Sequence, residues 1–512
     1  MKGRGYLPEV LGVALLFMAA RAVRVYFLHY RSVMAPDYDG AEYLTLGKTC
    51  LLGKSCYTTF IPPGFPMLLA AALPFFRQAQ TAGMTVSALC GAALLVPVYL
   101  LTKEVFGRKA AYVAAALTAV SGSLVVISTW VMSEMPYAFL LYTGLYLGLV
   151  FIKRRDFLSG LGFAAAFGAG YLVRPESFVF FVAAAPLVFG RACMTTDAGC
   201  RKRTALCGAA SLLLFAALCL PYIVCLRRDC GMWTISWKLF YNLAPKGRIG
   251  PGADTLAYVG GHVSALWEKY LANLPTLWEV LRESCTLPGL VFVALGVPLA
   301  LRGVKGPKCG VVLLALPTLY PFMLPLFMVD IRVMAPYNPA LLIWGAAGAV
   351  RLEEMLAKLP RAGKAARYSA LTAALALFFA GNQLMGVYNF FNSNEYRVSR
   401  AYNVQRYVVT GEWIKSRSAP GDKVLSRELL PVFYSGREYL NLPDYEPERL
   451  YRYAKENGVR WLIVDDVCTA KRKNLGPLLG PGMGMETLTP GFMPVYFNSA
   501  AGVVVYMVAD GV

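Results

Sequence analysis

Charge is what this chain has least of. Only 16% of its 512 residues are charged while 57% are hydrophobic, and mean hydropathy is +0.50. Soluble domains carry about a quarter of their residues as Asp, Glu, Lys and Arg, so this composition excludes an ordinary soluble protein and indicates an integral membrane one. Acidic residues are scarcer than basic ones, 30 against 50, for a formal net charge of +20. That balance would suit nucleic acid if it lay in one basic domain. Lys and Arg instead fall in short clusters between apolar runs, which points to a membrane topology and away from nucleic acid. Histidine is nearly absent, with only His29 and His262, so a His/Cys zinc cluster has little to draw on. No Gly-rich phosphate loop supports nucleotide binding, and there is no internal repeat. The first apolar run has no small-residue cleavage site and reaches Arg21 and Arg24 instead, so an uncleaved first helix is expected.

Apolar segments of about 17–25 residues cross a bilayer as helices because every backbone polar group must be paired inside the segment. There are eleven candidates: 7–28, 82–101, 110–128, 135–152, 157–173, 177–189, 204–226, 287–301, 309–328, 333–350 and 367–387. The Pro-rich run 62–76 is too short to span and reads as an interfacial or re-entrant helix. Basic clusters at Lys103/Arg108/Lys109, Lys153–Arg155, Arg191–Arg203, Arg302–Lys308 and Arg351–Arg367 all fall in even-numbered links, on the side of Lys2 and Arg4. The positive-inside rule makes that side cytoplasmic. The expected architecture is a polytopic α-helical membrane protein with about eleven transmembrane helices, N-in and C-out. Its membrane domain covers 1–387, with outside loops 29–81 and 227–286, and a small soluble α/β domain covers 388–512.

Within that last segment, Glu412–Lys415 and Glu446–Asn457 read as helices. Lys423–Ser426 and the continuous apolar run Arg460–Asp465 read as strands, and Pro494–Phe497 with Val503–Val508 as a hairpin. Among twelve cysteines, Cys50 and Cys56 share one outside loop, and Cys230 and Cys285 bracket another. Disulfides within those two pairs suit an oxidising compartment. Trp267, Tyr270, Leu271, Leu274, Leu277 and Trp278 mark an amphipathic stretch lying on the membrane surface.

The outside-facing polar residues at span ends are few: Asp37, Asp39 and Glu42 after the first span, Glu134, Arg174 with Glu176, and Asp330 with Arg332. Acids at a membrane boundary are costly to desolvate and are functional by default. Arginine holds a phosphate by charge and forked hydrogen bonds, and a carboxylate takes a proton from an incoming hydroxyl or amine. Lys246 and Arg248 lie in a basic Pro/Gly-rich loop that reads first as a solvated turn and second as a phosphate contact.

At these residues the chain resembles the membrane glycosyltransferases of the GT-C fold, in the group of protein O-mannosyltransferases and the lipid A aminoarabinose transferase. Asp39-Gly40-Ala41-Glu42-Tyr43 matches that group's catalytic Asp followed by a Tyr four residues on, and Leu44–Lys48 continues like its loop helix. Pro62–Leu69 is similar to its Pro-rich juxtamembrane helix, Ser133-Glu134 to its acidic turn, Gly170–Glu176 to its basic turn near the donor phosphate, and Arg332–Pro336 to its Arg-Tyr-x-x-Pro turn. Ile61 and Val333 stand where the group has a basic residue and a Tyr. The resemblance covers about residues 7–350. It implies inverting transfer of a sugar from a polyprenyl-phosphate carrier to a lipid, glycan or protein acceptor at the outer face, with Asp39 as general base. It implies Arg174, Arg332 and Glu134 on the donor phosphate and sugar. From the residues alone, Asp37 reads first as an N-cap of the loop helix and second as a catalytic acid, and Lys246 and Arg248 stay second-choice phosphate contacts. The resemblance implies no firm cofactor; a divalent metal is unsupported. With the lack of a retention signal, it implies a bacterial inner membrane.

Two other classes compete. A polysaccharide ligase or polymerase would use basic residues in a large outside loop, for which 227–285 is the only candidate. A secondary transporter would need midplane charges and two related halves, whereas the charges here lie at one face and the span count is odd.

Overall fold

Long apolar runs in lipid leave the backbone no partner but itself, and the chain answers with helix after helix up to Asn392. The computed structural model describes residues 6–31, 38–238, 243, 261–302, 304, 308–357, 366–472, 474–475, 478 and 491–509. It divides into two units, one of Met1–His29 and Leu46–Tyr388, the other of Tyr30–Thr45 and Asn389–Val512.

The first unit is a helical bundle. Its helices are α1 (Tyr6–Arg31), the end of α2 (Tyr38–Leu51), α3 (Gly64–Ala72), α4 (Ala79–Ala93), α5 (Leu95–Phe106), α6 (Arg108–Val120), α7 (Gly122–Ser128) and α8 (Glu134–Arg154). There follow α9 (Phe157–Val173), α10 (Glu176–Met194), α11 (Ala198–Cys230), α12 (Val263–Cys285), α13 (Leu287–Arg302), α14 (Lys308–Leu319), α15 (Asn338–Leu356) and α16 (Ala366–Asn392). Each of the eleven expected spans coincides with helix. Among the described residues seven helices are long and apolar enough to cross a membrane, or nine when each of two bent pairs is one span. Of the segments outside that count, α9 has only 17 residues.

One bent pair is α6–α7, which breaks by 52° at Ser121. The break is held by the fully buried Arg24 of α1, whose Nε donates to Ser128 Oγ at 3.1 Å and whose Nη1 donates to the carbonyls of Ala20 and Ala119. Gln383 accepts from the Gly122 N–H at 2.7 Å. The second pair, α12–α13, bends by 94°. Along α12, Leu277, Val280 and Cys285 are buried while Trp267, Leu271 and Trp278 are exposed, with Trp267 stacked on Tyr270 at 5.4 Å. That is the expected interfacial pattern. The expected short helix at 62–76 forms as α3 with a 3₁₀ turn, Leu73–Phe75. It is seated so closely that a Cβ on Gly64 would lie 2.6 Å from the Leu172 backbone. Helices α13 and α15 approach through Gly296 and Gly348, where a Cβ on Gly348 would come within 2.2 Å of Gly296 Cα.

One end of this bundle collects the basic links. Glu9 pairs with Lys103 and Arg108, Lys109 with Glu353, and Lys153 with Glu104. Helix alternation puts the turns before α8 and α10 at the opposite end.

The second unit holds a five-stranded sheet in the order β2-β1-β3-β5-β4. Strands β1 (Lys423–Ser426), β2 (Glu438–Asn441) and β3 (Val459–Asp465) are parallel, and β4 (Phe492–Asn498) with β5 (Val503–Val508) form the expected hairpin, antiparallel to β3. Helices α17 (Asn394–Asn403), α18 (Thr410–Arg417), α19 (Leu429–Ser435) and α20 (Pro447–Glu456) accompany it. Two apolar clusters form its core. One lies around Leu425, Leu450, Leu462 and Val504, and the other around Ile414, Val424, Ile463 and Val505. Strand β2 and helix α19 are not evident from the sequence, because Glu438-Tyr439-Leu440-Asn441 is a polar edge strand and α19 is a single short helix.

Candidate active site

In the first unit the acids and bases at one end of the bundle converge. Ser87 on α4 bonds both the carbonyl and the N–H of Met132, fixing the turn that delivers Glu134 to the start of α8. On the other side, Arg174 closes α9 in extended conformation, and Pro175 starts α10 at once. Ser177 Oγ bonds the Phe167 carbonyl at 2.8 Å, and a Cβ on Gly170 would meet that hydroxyl at 2.5 Å. The corner is therefore tight, and its geometry directs Arg174 inward.

The guanidinium bridges two carboxylates, with Nη1 2.7 Å from Glu134 Oε1 and Nη2 2.8 Å from Glu176 Oε1. The three side chains are 12%, 5% and 12% exposed. Tyr137, one turn along α8 from Glu134, puts its ring 5.9 Å beneath the Arg174 guanidinium, within cation–π range. Tyr337 packs edge-on against Tyr137 at 6.4 Å and tilted against Tyr320 at 4.7 Å. Phe180 stacks on Tyr337. Lys238, in the segment after α11, acts electrostatically on Glu176. Arg174 and Lys238 together balance the two glutamates.

Two buried carboxylate oxygens here have no partner, Glu134 Oε2 and Glu176 Oε2. A buried carboxylate oxygen without a donor costs about 1–3 kcal/mol or more, so the arrangement suits hydrogen-bond donors that arrive from outside. Two such acceptors fit the hydroxyls of a sugar. Asp330 caps a single turn by accepting from the Arg332 N–H at 2.8 Å, and Arg332 Nε lies 3.7 Å from the same carboxylate. Ile331 and Val333, on either side of Arg332, pack against the same apolar cluster as Tyr320.

Asp39 and Glu42 belong to the second unit. Asp39 lies in the first turn of α2, where the helix dipole favours a carboxylate, and both side chains are half-buried. Beyond this turn, α2 ends at a disulfide, Cys50–Cys56. In the first unit Tyr57 then bonds Asp229 and Arg228, and Tyr222 bonds the Thr58 carbonyl, tying the loop to α11. The second expected disulfide does not form. Cys230 and Cys285 are both free, Cys230 ending α11 and Cys285 buried among Val280, Leu324 and Met334. Bracketing one loop in sequence brought the two thiols no closer in space. Asp37, Lys246 and Arg248 lie outside the described residues. No group of three or more His, Cys, Asp or Glu side chains is arranged to hold a metal among the described residues.

Reading the sequence alone picks out Glu134, Arg174 and Glu176 but not their mutual pairing, and it misses Tyr137, Tyr320, Tyr337 and Lys238. The available signal was an aromatic three residues after an acid at a span end.

Residues 61–223 match the family model described as dolichyl-phosphate-mannose-protein mannosyltransferase. No curated protein sequence matches the chain. Among solved structures it is similar to ArnT from Cupriavidus metallidurans bound to undecaprenyl phosphate, at 12% identity over 99% of each chain with a TM-score of 0.57. It is also similar to the archaeal oligosaccharyltransferase AglB from Archaeoglobus fulgidus in complex with an inhibitory peptide and a dolichol-phosphate. That match has 15% identity over 99% of this chain and 75% of the other, with a TM-score of 0.56. A third is the arabinofuranosyltransferase AftD from Mycobacteria, at 15% identity over 97% of this chain and 40% of the other, with a TM-score of 0.52. At such identities the structural likeness is one of fold. With the family match, it gives this chain the fold of the GT-C membrane glycosyltransferases, with residues 61–223 similar to the dolichyl-phosphate-mannose-protein mannosyltransferases.

Proposed function

We propose that the protein transfers a sugar from a polyprenyl-phosphate carrier to a lipid, glycan or protein acceptor at the outer face of a bacterial inner membrane. The observation that carries this reading is the buried Glu134–Arg174–Glu176 cluster with its unpartnered acceptor oxygens. It lies inside the segment that matches the mannosyltransferase family model. The solved structure of ArnT holds undecaprenyl phosphate, and that of AglB a dolichol-phosphate, which supports the carrier class.

In this reading Asp39 is the general base. It takes the proton from the acceptor hydroxyl or amine as that group attacks the anomeric carbon. The bond from that carbon to the carrier phosphate breaks with inversion, and the electron pair leaves on phosphate oxygen. Phosphate is a stable anion, so its departure needs cations more than an acid. Arg332 and Lys238, with Lys246 and Arg248, supply them, while Glu134 and Glu176 accept sugar hydroxyls and Arg174 orients both carboxylates. Asp37 is the second candidate base of the same loop. The basic end of the bundle faces the cytoplasm by the positive-inside rule.

The test uses the purified full chain with undecaprenyl-phosphate-linked mannose, glucose, galactose and arabinose as donors and extracted envelope lipids as acceptor. The expected product is free undecaprenyl phosphate. Asp39→Asn lowers the rate by about 10²–10⁴-fold in a protein that stays folded. Full transfer by Asp39→Asn alongside a dead Asp37→Asn would move the base to Asp37. Turnover only of diphosphate-linked oligosaccharide donors would favour a ligase or polymerase.

A further inference from the structure

The helix that carries Asp39 begins inside the C-terminal unit. Tyr30–Thr45 cluster with Asn389–Val512, and the boundary between the units falls within α2, between Thr45 and Leu46. Ala41 is fully buried, in an apolar cluster with Leu429 and Leu430 of α19, and Tyr407, Tyr434 and Tyr439 pack against it. The phenol of Tyr38, next to Asp39, interacts with that of Tyr439 on edge strand β2, whose hydroxyl donates to the Arg427 carbonyl at 3.4 Å.

The cradle is itself stiff. Tyr439 is held in register beside Val424 of the central strand pair. The approach to α19 is fixed by Arg427, which pairs with Glu428 and lies 3.6 Å from Asp465. Asp465 is also bound at 2.8 Å by the buried Arg406. Burial, with the carboxylates of Glu42 and Glu428 nearby, raises the Tyr38 phenol above its usual range. Burial and the Tyr38 partner raise that of Tyr439, so both keep their protons across physiological pH. A small residue is required at position 41 because α2 lies directly on α19, and the sequence places Ala there between Gly40 and Glu42.

We infer that the C-terminal unit holds the first turn of α2 in place, with Tyr439 as a positioning residue for Asp39. The inference rests on Asp39 being the base. A base works only if its carboxylate is held within a fraction of an ångström, and a displacement of about 1 Å costs about 10²-fold in rate. A turn at the start of a loop helix lacks that rigidity by itself. The packing of Ala41 on α19 and Tyr439, with the Tyr38–Tyr439 contact beside it, supplies it from the C-terminal unit. This gives the C-terminal unit a part in the chemical step without any of its residues touching substrate.

The test is a double-mutant cycle of Tyr38→Phe and Tyr439→Phe in the full chain, read in two ways. The first is turnover of the undecaprenyl-phosphate sugar that wild type uses, per folded molecule. The second is amide hydrogen exchange in residues 38–45. Each single variant is expected to lower kcat by about 10-fold or more with donor KM unchanged, and the double variant to be no worse than either single. Exchange in 38–45 is expected to rise severalfold while β3 and β5 stay protected. Unchanged exchange in 38–45, additive losses of kcat, or wild-type kcat in Tyr439→Phe would each overturn the inference. A fully active Asp39→Asn would instead overturn the base assignment, and it is distinguishable because exchange in 38–45 would still respond to Tyr439→Phe.

Discussion

Removing Arg174 separates what its cluster does for folding from what it does for turnover. In Arg174→Ala the carboxylates of Glu134 and Glu176, 5% and 12% exposed, lose their shared cation. Both already have one oxygen without a partner. Breaking a buried ion pair by deleting one side costs about 3–5 kcal/mol, because an uncompensated charge stays behind. Protonation of one glutamate limits the loss to that range. Lys238 is too weakly engaged to replace a guanidinium that makes two charged hydrogen bonds. The companion variant neutralises all three groups, Arg174→Met with Glu134→Gln and Glu176→Gln. Replacing a whole buried ionic set by neutral groups of similar volume is often near neutral, so this variant should regain most of the stability and none of the activity. Reversible unfolding in mixed micelles reads the first quantity, and release of undecaprenyl phosphate reads the second. Wild-type stability in Arg174→Ala would mean that the cluster is hydrated rather than buried. A neutral triple variant with wild-type turnover would reduce the cluster to a packing element.

The remaining predictions concern the frame around the site. Maleimide labelling of the denatured chain should mark ten cysteines before reduction and twelve after; eight before reduction would restore the Cys230–Cys285 bond. Gly348→Leu drives a side chain into Gly296, with even the Cβ only 2.2 Å away. It should cost about 1–3 kcal/mol or more, whereas Gly381→Leu, with nothing within 4 Å, should stay within about 0.5 kcal/mol. Asp156 caps α9 by accepting from the Ser159 N–H at 2.8 Å, and that bond lowers its carboxyl below the usual range. A depressed folded value means the cap stabilises above the unfolded pKa and is lost as pH falls through the folded one. Asp156→Ala should therefore cost about 1 kcal/mol at neutral pH, and nothing once the pH drops below the carboxylate range.

What the sequence discloses and what it hides follow from the range of the forces involved. A span is a local property, 17 or more apolar residues in a row, and each of the eleven expected segments is helical. Arg460–Asp465 was legible as a strand for the same reason, since a continuous apolar run bounded by Gly458 has few other readings. The 52° break at Ser121 could not be read in this way. It depends on Arg24 and Gln383 arriving from helices about one hundred and more than two hundred and fifty residues away. Edge strand β2 hid because its sequence is polar and only its neighbour β1 makes it a strand. The pairing of Arg174 with Glu134 crosses 40 residues. The Cys230–Cys285 expectation failed on the same ground, because sequence spacing says nothing of distance once two helices end in different places. The link between α2 and the C-terminal sheet had no sequence signal, since Ala41 and Tyr439 are separately unremarkable.

The two ends of the helical bundle use the same residue types to opposite purposes, and the difference lies in how completely their carboxylates are bonded. At the basic end, Glu9 binds Lys103 and Tyr99 with one oxygen and Arg108 with the other. Glu353 binds Lys109 with one oxygen and Thr372 with the other. Both acids are spent on internal partners, which is what a structural ion pair must do when desolvation works against it. At the opposite end, Glu134 and Glu176 share one arginine and each leaves an oxygen open. Burying two such atoms is a stability loss with no return inside the chain. The loss is explicable where a ligand supplies the missing donors, and a sugar, with a hydroxyl on most of its carbons, has them at the right density. Completeness of hydrogen bonding, more than charge or burial, therefore separates the end of the bundle that holds the helices together from the end we propose as the substrate site.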